Sequence, residues 1–528
     1  MEQFLQAETL IIALLLVVSL VAIAVRQSRI PYTVALVLVG LAITIQRPLQ
    51  INLTPELILA VFVPPLVFEA AFHINFSDLQ RNLSTILLLA VPGLVITALI
   101  VGGLVAWTSP LSLPLALVFG ALIAATDPVA VVAFFRASGV PRRLAVLVEG
   151  ESLLNDGTAI VVFNLMLAIA LTGHFDLVTG VADFIRVSAG GTITGFALGW
   201  LISRVIARVD DYLIEITLTT VLAFGSYLVA ERLQFSGVLA VVAAGLVSGS
   251  MGPQSMSPTT RIVLFSFWEY VAFLANSLVF LLIGLEINIP ALLATWQPIV
   301  GAIAAVLIAR VIVVYGLGWV ADRWAAPVPM RWQHILGWAG LRGAISLALA
   351  LSLPTTLGTD RDLMRVMAFG VVLFTLLVQG TTMGSLIRRL RIVTRSESQI
   401  EYETRHARLV ALRAAEEHLE HLHGDGLVST HTWEVLKPEL TCRATSLAEA
   451  VRETLRSDPS LEAKELDTAR RELLRAQRSA LLGLRHDGAM SEEVFVTLAA
   501  DVDSALAAEE TSAFSFPEDT PSDTDRST

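Results

Sequence analysis

A chain of 528 residues that is 55% hydrophobic and only 16% charged, with a mean hydropathy of +0.71, is not composed like a soluble domain, where about a quarter of residues carry charge. The net charge of −11 argues against the basic face that nucleic-acid binding needs. The single cysteine, Cys442, excludes an internal disulfide.

Apolar runs recur from residue 9 to residue 390, many of about 20 residues, the length that crosses a bilayer core. The reading is an all-α polytopic membrane protein with about 13 transmembrane helices. The spans are expected at 8–26, 30–46, 54–73, 84–107, 113–136, 143–172, 181–207, 211–230, 236–250, 259–286, 294–322, 331–353 and 363–388. The first run lacks a basic leader and a small-residue cleavage site, so it reads as a retained helix. With an odd count, fifteen arginines from Arg26 to Arg395 fall on one side, and Arg47, Arg186, Arg232, Arg361 and Arg365 on the other. The positive-inside rule then puts the N-terminus outside and the C-terminus in the cytoplasm of a multi-pass cell (plasma or inner) membrane protein.

Two spans are interrupted. Thr126-Asp127-Pro128 breaks the fifth, because proline lacks an N–H and disfavours helix at the residue before it. Gly337, Gly340 and Gly343 surround Arg342 in the twelfth. Broken helices at matching positions predict two inverted repeats that cross at the midplane, the usual place of a transporter site.

Charge separates the chain at Arg395. Residues 1–395 hold 22 arginines against 20 Asp and Glu, a net +2, and the remainder holds 14 Lys and Arg against 27 acids, a net −13. The expected organisation is a transmembrane domain over 1–395, a helical cytoplasmic tail over 396–511 and a disordered C-terminus over 512–528. Within the tail, amphipathic helices are expected at 396–423, 430–456, 460–485 and 491–510. Asp425-Gly426…Ser429 and Asp487-Gly488…Ser491 each read as a turn with a capping serine. His418, His421 and His423 read as a solvated helix face. The ligand of the tail is left open.

The chemistry sits between Ala124 and Gly157. A charge at the centre of a membrane helix costs about 2.5–3.5 kcal/mol on insertion scales, so Asp127, Glu151 and Asp156 require a purpose. Thr126, Asp127, Ser152 and Asp156 offer hydroxyl, carboxylate and freed carbonyl oxygens, the donors that hard cations prefer. Ser152, Asn155 and Asp156 share one helix face. Asp156 and Asp127 are the expected cation ligands. Such a carboxylate holds a cation or a proton but not both, and that competition gives exchange. Glu151 and Arg342 are expected to form a structural ion pair. Glu69 guards the site or snorkels to a helix end, and snorkelling is expected for Glu215 and Glu269. Arg310, near mid-span, meets headgroups or a partner acid. Ser152 lacks a Gly-x-Ser-x-Gly elbow, and there is no phosphate-binding loop. Neither an enzyme, a cofactor nor an ATP-driven pump is expected. A channel, or a sensor signalling through the tail, is the alternative of another class.

Thr126-Asp127-Pro128, Gly150-Glu151-Ser152-Leu-Leu-Asn155-Asp156-Gly157, Phe280-Leu-Leu-Ile-Gly284-Leu-Glu286 and Gly340-Leu-Arg342-Gly343-Ala resemble the monovalent cation:proton antiporter-1 family, NhaP-type antiporters and the animal exchangers. The resemblance covers about residues 8–390. It implies a homodimer in which each protomer joins a dimerisation domain to a moving core. It also implies Asp156 as the central carboxylate, with Thr126, Asp127, Ser152 and Glu69 around it, and Glu151–Arg342 as the structural pair. Asn155-Asp156 matches the family's electroneutral members, one Na+ for one H+. K+ in place of Na+ is the near alternative, with Li+ a further candidate ion.

Overall fold

The computed structural model describes residues 2–25, 31–46, 58–173, 176–208, 211–255, 258–324, 327–392 and 397–505, apart from residues 487, 488, 492, 496, 503 and 504. The expected disordered stretch 512–528, the end of 491–510 and the second Asp-Gly turn lie outside the described residues. Regular structure among the described residues is helical throughout. The chain separates into two compact units, Met1–Thr394 and Arg395–Thr528.

The first unit begins with α1 (Glu2–Val25), α2 (Tyr32–Gln46) and α3 (Val63–His73), the last entered through a wide helical turn at Ile58–Phe62. Next come α4 (Phe76–Ala90) and α5 (Pro92–Thr108). They form one span that starts earlier than expected, because the Asn75 side chain caps it by accepting from Ser77 N and Asp78 N. The fifth span is α6 (Leu113–Ala124) and α7 (Val129–Ser138); then follow α8 (Arg142–Thr172), α9 (Leu177–Ile206), α10 (Tyr212–Arg232), α11 (Gly237–Ser255) and α12 (Pro258–Glu286). A short α13 (Ile289–Ala294) leads to α14 (Trp296–Trp324), and the twelfth span is α15 (Met330–Trp338) and α16 (Ala344–Leu351). The last span is α17 (Gly358–Phe374), a wide turn at Thr375–Gly380 and α18 (Thr381–Arg389).

Each of the thirteen expected spans therefore finds its helix. Eight described helices are long and apolar enough to cross a membrane alone, and four shorter apolar ones accompany them. Helix is the form such sequences must take, since a bilayer offers no partner to an open backbone N–H or C=O. Both predicted breaks are present, at Ala125–Pro128 and at Ala339–Gly343. They meet: the Asp127 N–H donates to Leu341 O at 2.7 Å. The protein is a multi-pass membrane protein with two broken helices crossing at their breaks.

A second seam lies between α2 and α12. A Cβ on Gly40 would stand 2.5 Å from Leu281 O, and one on Gly284 2.3 Å from Val37 O, so only glycine permits this backbone approach. Thr44 Oγ1 donates to Leu285 O at 2.8 Å, and the Tyr32 and Ser277 hydroxyls meet at 3.0 Å. These contacts make α2 and α12 one rigid slab.

The second unit contains α19 (Glu397–Gly424), α20 (Thr430–Ser457) and α21 (Pro459–His486). Ser429 caps α20 as its sequence suggested, its hydroxyl accepting from Thr432 N at 3.3 Å. Arg405 donates to Ala450 O and Thr454 Oγ1, and Tyr402 to Glu465 at 2.9 Å, which ties the three helices together. His418 and His421 are exposed, whereas the His423 ring stacks on Trp433 at 4.8 Å.

Candidate ion-binding site

One cavity of about 510 Å³ reaches the crossing. Thr126, Asp127, Ser152, Asp156 and Glu69 all line it, so five of the six residues singled out as ion ligands converge on one space. Tyr32, Phe273 and Asn276 of the α2–α12 slab form part of the facing wall.

The broken backbone sets the site's shape. Pro128 ends α6 early, and the carbonyls of Ala124, Ala125 and Thr126 lose their helical partners. Each is taken up. Arg342 Nη1 donates to Ala124 O at 2.5 Å and to Ala125 O at 3.1 Å. Ser346 Oγ adds a bond to Ala125 O at 3.3 Å, and Ser152 Oγ donates to Thr126 O. Asn155 Nδ2 reaches Thr126 Oγ1 at 3.3 Å and Ala124 O at 3.5 Å. Asn155 therefore stands behind the site and holds Thr126 in place; it is not part of the cavity wall.

The helix ends also carry partial charge, positive at an N-terminus and negative at a C-terminus. The fully buried Arg342 guanidinium lies at the C-terminal carbonyls of α6. Asp127 lies at the start of α7, where its Oδ1 accepts from Val129 N at 3.0 Å. Asp127 also packs against the start of α16: a Cβ on Gly343 would fall 2.1 Å from Asp127 Oδ2. One positive and one negative side chain thus compensate the half-helices that meet at the crossing.

Asp156 is left without such a role. It shares the cavity with Asp127, but its carboxylate has no hydrogen-bond donor and no counter-ion among the described residues. An anion in that position takes up a cation or a proton.

The expected Glu151–Arg342 pair is not the one formed. Arg310 Nη1 donates to Glu151 Oε1 at 2.5 Å and Nη2 to Oε2 at 3.1 Å, with further bonds from Arg310 to Leu336 O. All three side chains are buried. The physical reason is geometric: Arg342 is spent on the carbonyls of the first break, and Gly340 leaves room for Arg310, whose Nε lies 2.9 Å from where a Cβ would be. The sequence signal for Arg310 was its lone charge at mid-span, which needed an acid.

Ser346 was missed altogether, although it stands three residues past the broken-helix glycine Gly343. Glu69 pairs with His73, 3.3 Å from Oε1 to Nδ1. Glu215 corrects another expectation. It does not snorkel but is 1% exposed, in the first turn of α10. Glu269 is exposed and borders the cavity.

A family model described as sodium/hydrogen exchanger, transmembrane, matches residues 12–389. A Na+/H+ antiporter of Aphanothece halophytica, ApNhaP, is 43% identical over 395 residues, 74% of this chain and 75% of its own. The antiporter NhaS2 of Synechocystis is 36% identical over 496 residues, 92% of this chain and 90% of its own. The solved sodium proton antiporter MjNhaP1 of Methanocaldococcus jannaschii shares the fold with a TM-score of 0.60 at 22% identity, over 74% of this chain and 99% of that one. By the reach of the family match and the identity to these relatives, the chain belongs to the sodium/hydrogen exchanger family.

Proposed function

We propose that this protein exchanges one Na+ for one H+ by alternating access, with both competing for Asp156. The observation that carries the reading is the contrast between the two aspartates at the crossing, Asp127 and Asp156. Asp127 is engaged by a helix N-terminus, whereas Asp156 faces the cavity with no partner among the described residues. Na+ at Asp156 draws on oxygens of Asp127, Thr126 and Ser152, and a proton arriving at the same carboxylate displaces it. Asn155 stands directly before Asp156 where a second acid would add another charge, which supports an electroneutral exchange of one cation for one proton.

The arginine distribution supports an external N-terminus and a cytoplasmic tail in the cell membrane. The cavity then opens inward, since the start of α2 and the end of α3 border it. A homodimer fits the family, the α2–α12 slab belonging to the stationary part.

The test is purified protein in liposomes containing a pH-reporting dye. With a proton gradient imposed, Na+ should restore internal pH at the same rate whether or not the voltage is clamped. Asp156→Asn should abolish the response while leaving folding intact. Undiminished exchange by that variant would sink the assignment, and a response to K+ alone would replace Na+ as the substrate.

A further inference from the structure

The Phe280–Glu286 motif is not used by the ion site, and its last residue lies away from the cavity, at the other end of α12. Ten helical residues separate Glu286 from Asn276 on the cavity wall, about 15 Å along the axis. Arg365 stands equally far from Thr375, whose Oγ1 accepts from Arg342 N at 3.1 Å. Between these levels α12 and the broken-helix side are in contact. Val279, Leu282 and Ile283 face Leu347, Leu351 and Phe369 around a void of only about 10 Å³, at the lower limit for a single water. Beyond this plug, Arg365 Nη2 donates to Glu286 Oε1 at 3.1 Å.

We propose that the apolar plug and the Glu286–Arg365 pair form the closed gate of the transport pathway, which separates in every cycle when the opposite side opens. The inference rests on the alternating-access reading above. Two walls that stand apart at the cavity, one on the rigid α2–α12 slab and one carrying the crossing, are joined here. If Asp156 is to be reached from this side, the joint between α12 and α16–α17 is the one that must part. The bonding suits a separable contact. Glu286 and Arg365 are each about a quarter exposed and share one hydrogen bond, and Arg365 Nε has no partner among the described residues. Glu151 and Arg310, by contrast, are buried and doubly bonded. A partly exposed pair with one hydrogen bond breaks at less cost than a buried, doubly bonded one.

The test uses the full-length chain in liposomes with Cys442→Ser, Glu286→Cys and Arg365→Cys. This protein must first exchange Na+ for H+ unlinked. A cleavable bis-thiol reagent should then stop exchange, and reduction should restore it. Linked protein that exchanges at the unlinked rate would show a permanent hinge staple and overturn the gate. A second measurement needs no transport, and so separates failure of the gate from failure of the exchange reading. A chain with Cys442→Ser and Ala133→Cys, a cavity-wall position, is labelled by an impermeant maleimide from the cavity side. Adding Glu286→Gln should favour the opposite-facing state and slow labelling about threefold or more. An unchanged rate would refute the proposal.

Discussion

Glu151 receives both Nη atoms of Arg310, at 2.5 and 3.1 Å, in a setting where the acid is 3% and the base 8% exposed. The pair joins α8 to α14, and through Leu336 O it also fixes the end of α15 next to the second break. It lies outside the cavity wall. Its work is to hold the crossing in register, not to carry ions.

Removing one member of such a pair leaves a lone charge at membrane depth. Arg310→Ala should lower stability by about 3–5 kcal/mol, while Glu151→Leu combined with Arg310→Met should recover most of the loss. Thermal melting of the detergent-solubilised single and double variants checks this. Additive losses in the double variant would mean that the two charges do not depend on each other.

Arg342 has a different task. Its truncation frees two buried carbonyls and the negative end of α6 without stranding an acid. Arg342→Ala should therefore cost less stability than Arg310→Ala, about 1–3 kcal/mol, yet impair exchange more, because the Thr126 carbonyl and Asp127 hang from the backbone it clamps. Arg342→Lys should restore part of the rate. The two properties are read by melting and by liposome exchange on the same preparations. If Arg342→Ala proved the more destabilising of the two, the partner assignment of Glu151 would be wrong.

The tail offers a prediction in pH. The Tyr402 phenol, beside Glu465, is pushed up to about 12, chiefly by burial and then by the carboxylate. A raised folded value means the neutral phenol stabilises the fold below pH 10, and that contribution is lost as pH rises from about 10 to 12. Proteolysis between α19 and α21 by an alkali-tolerant protease should accelerate across that window. Tyr402→Phe should remove the acceleration, and an identical profile in the variant would count against the linkage.

Most of the crossing was readable from the chain because its causes are local. Pro128 disfavours helix at Asp127 whatever surrounds it, and Gly340 and Gly343 weaken the twelfth span through their conformational freedom. Charges in apolar runs are rare enough that Asp127, Glu151 and Asp156 announced themselves. Choosing between Arg310 and Arg342 was different. Both are single arginines at membrane depth, 159 and 191 residues from Glu151 in sequence, and neither separation carries any information about distance across the bundle. The choice is made by shape, through the space at Gly340 and the carbonyls exposed at the first break. Glu215 failed for a related reason: helix position was legible, but not the packing that covers the first turn of α10.

Gly343 gives the sharpest test of the crossing. Its hydrogen occupies the space in which a methyl group would meet Asp127, with Oδ2 at 2.1 Å, Cβ at 2.5 Å and Cγ at 2.7 Å. Backbone hydrogen bonding ties Asp127 N to Leu341 O on the same segment, so the carboxylate cannot move away without disturbing the joint between the breaks. Gly343→Ala should therefore cut exchange by tenfold or more, about 1.4 kcal/mol or above in transition free energy, with a smaller effect on melting. Gly337 is the internal control. It lies in α15 with nothing within 4 Å of its added Cβ, and alanine there should keep the exchange rate and slightly stabilise the helix. Equal rates for the two alanine variants would show that the Asp127–Gly343 contact is not required for transport.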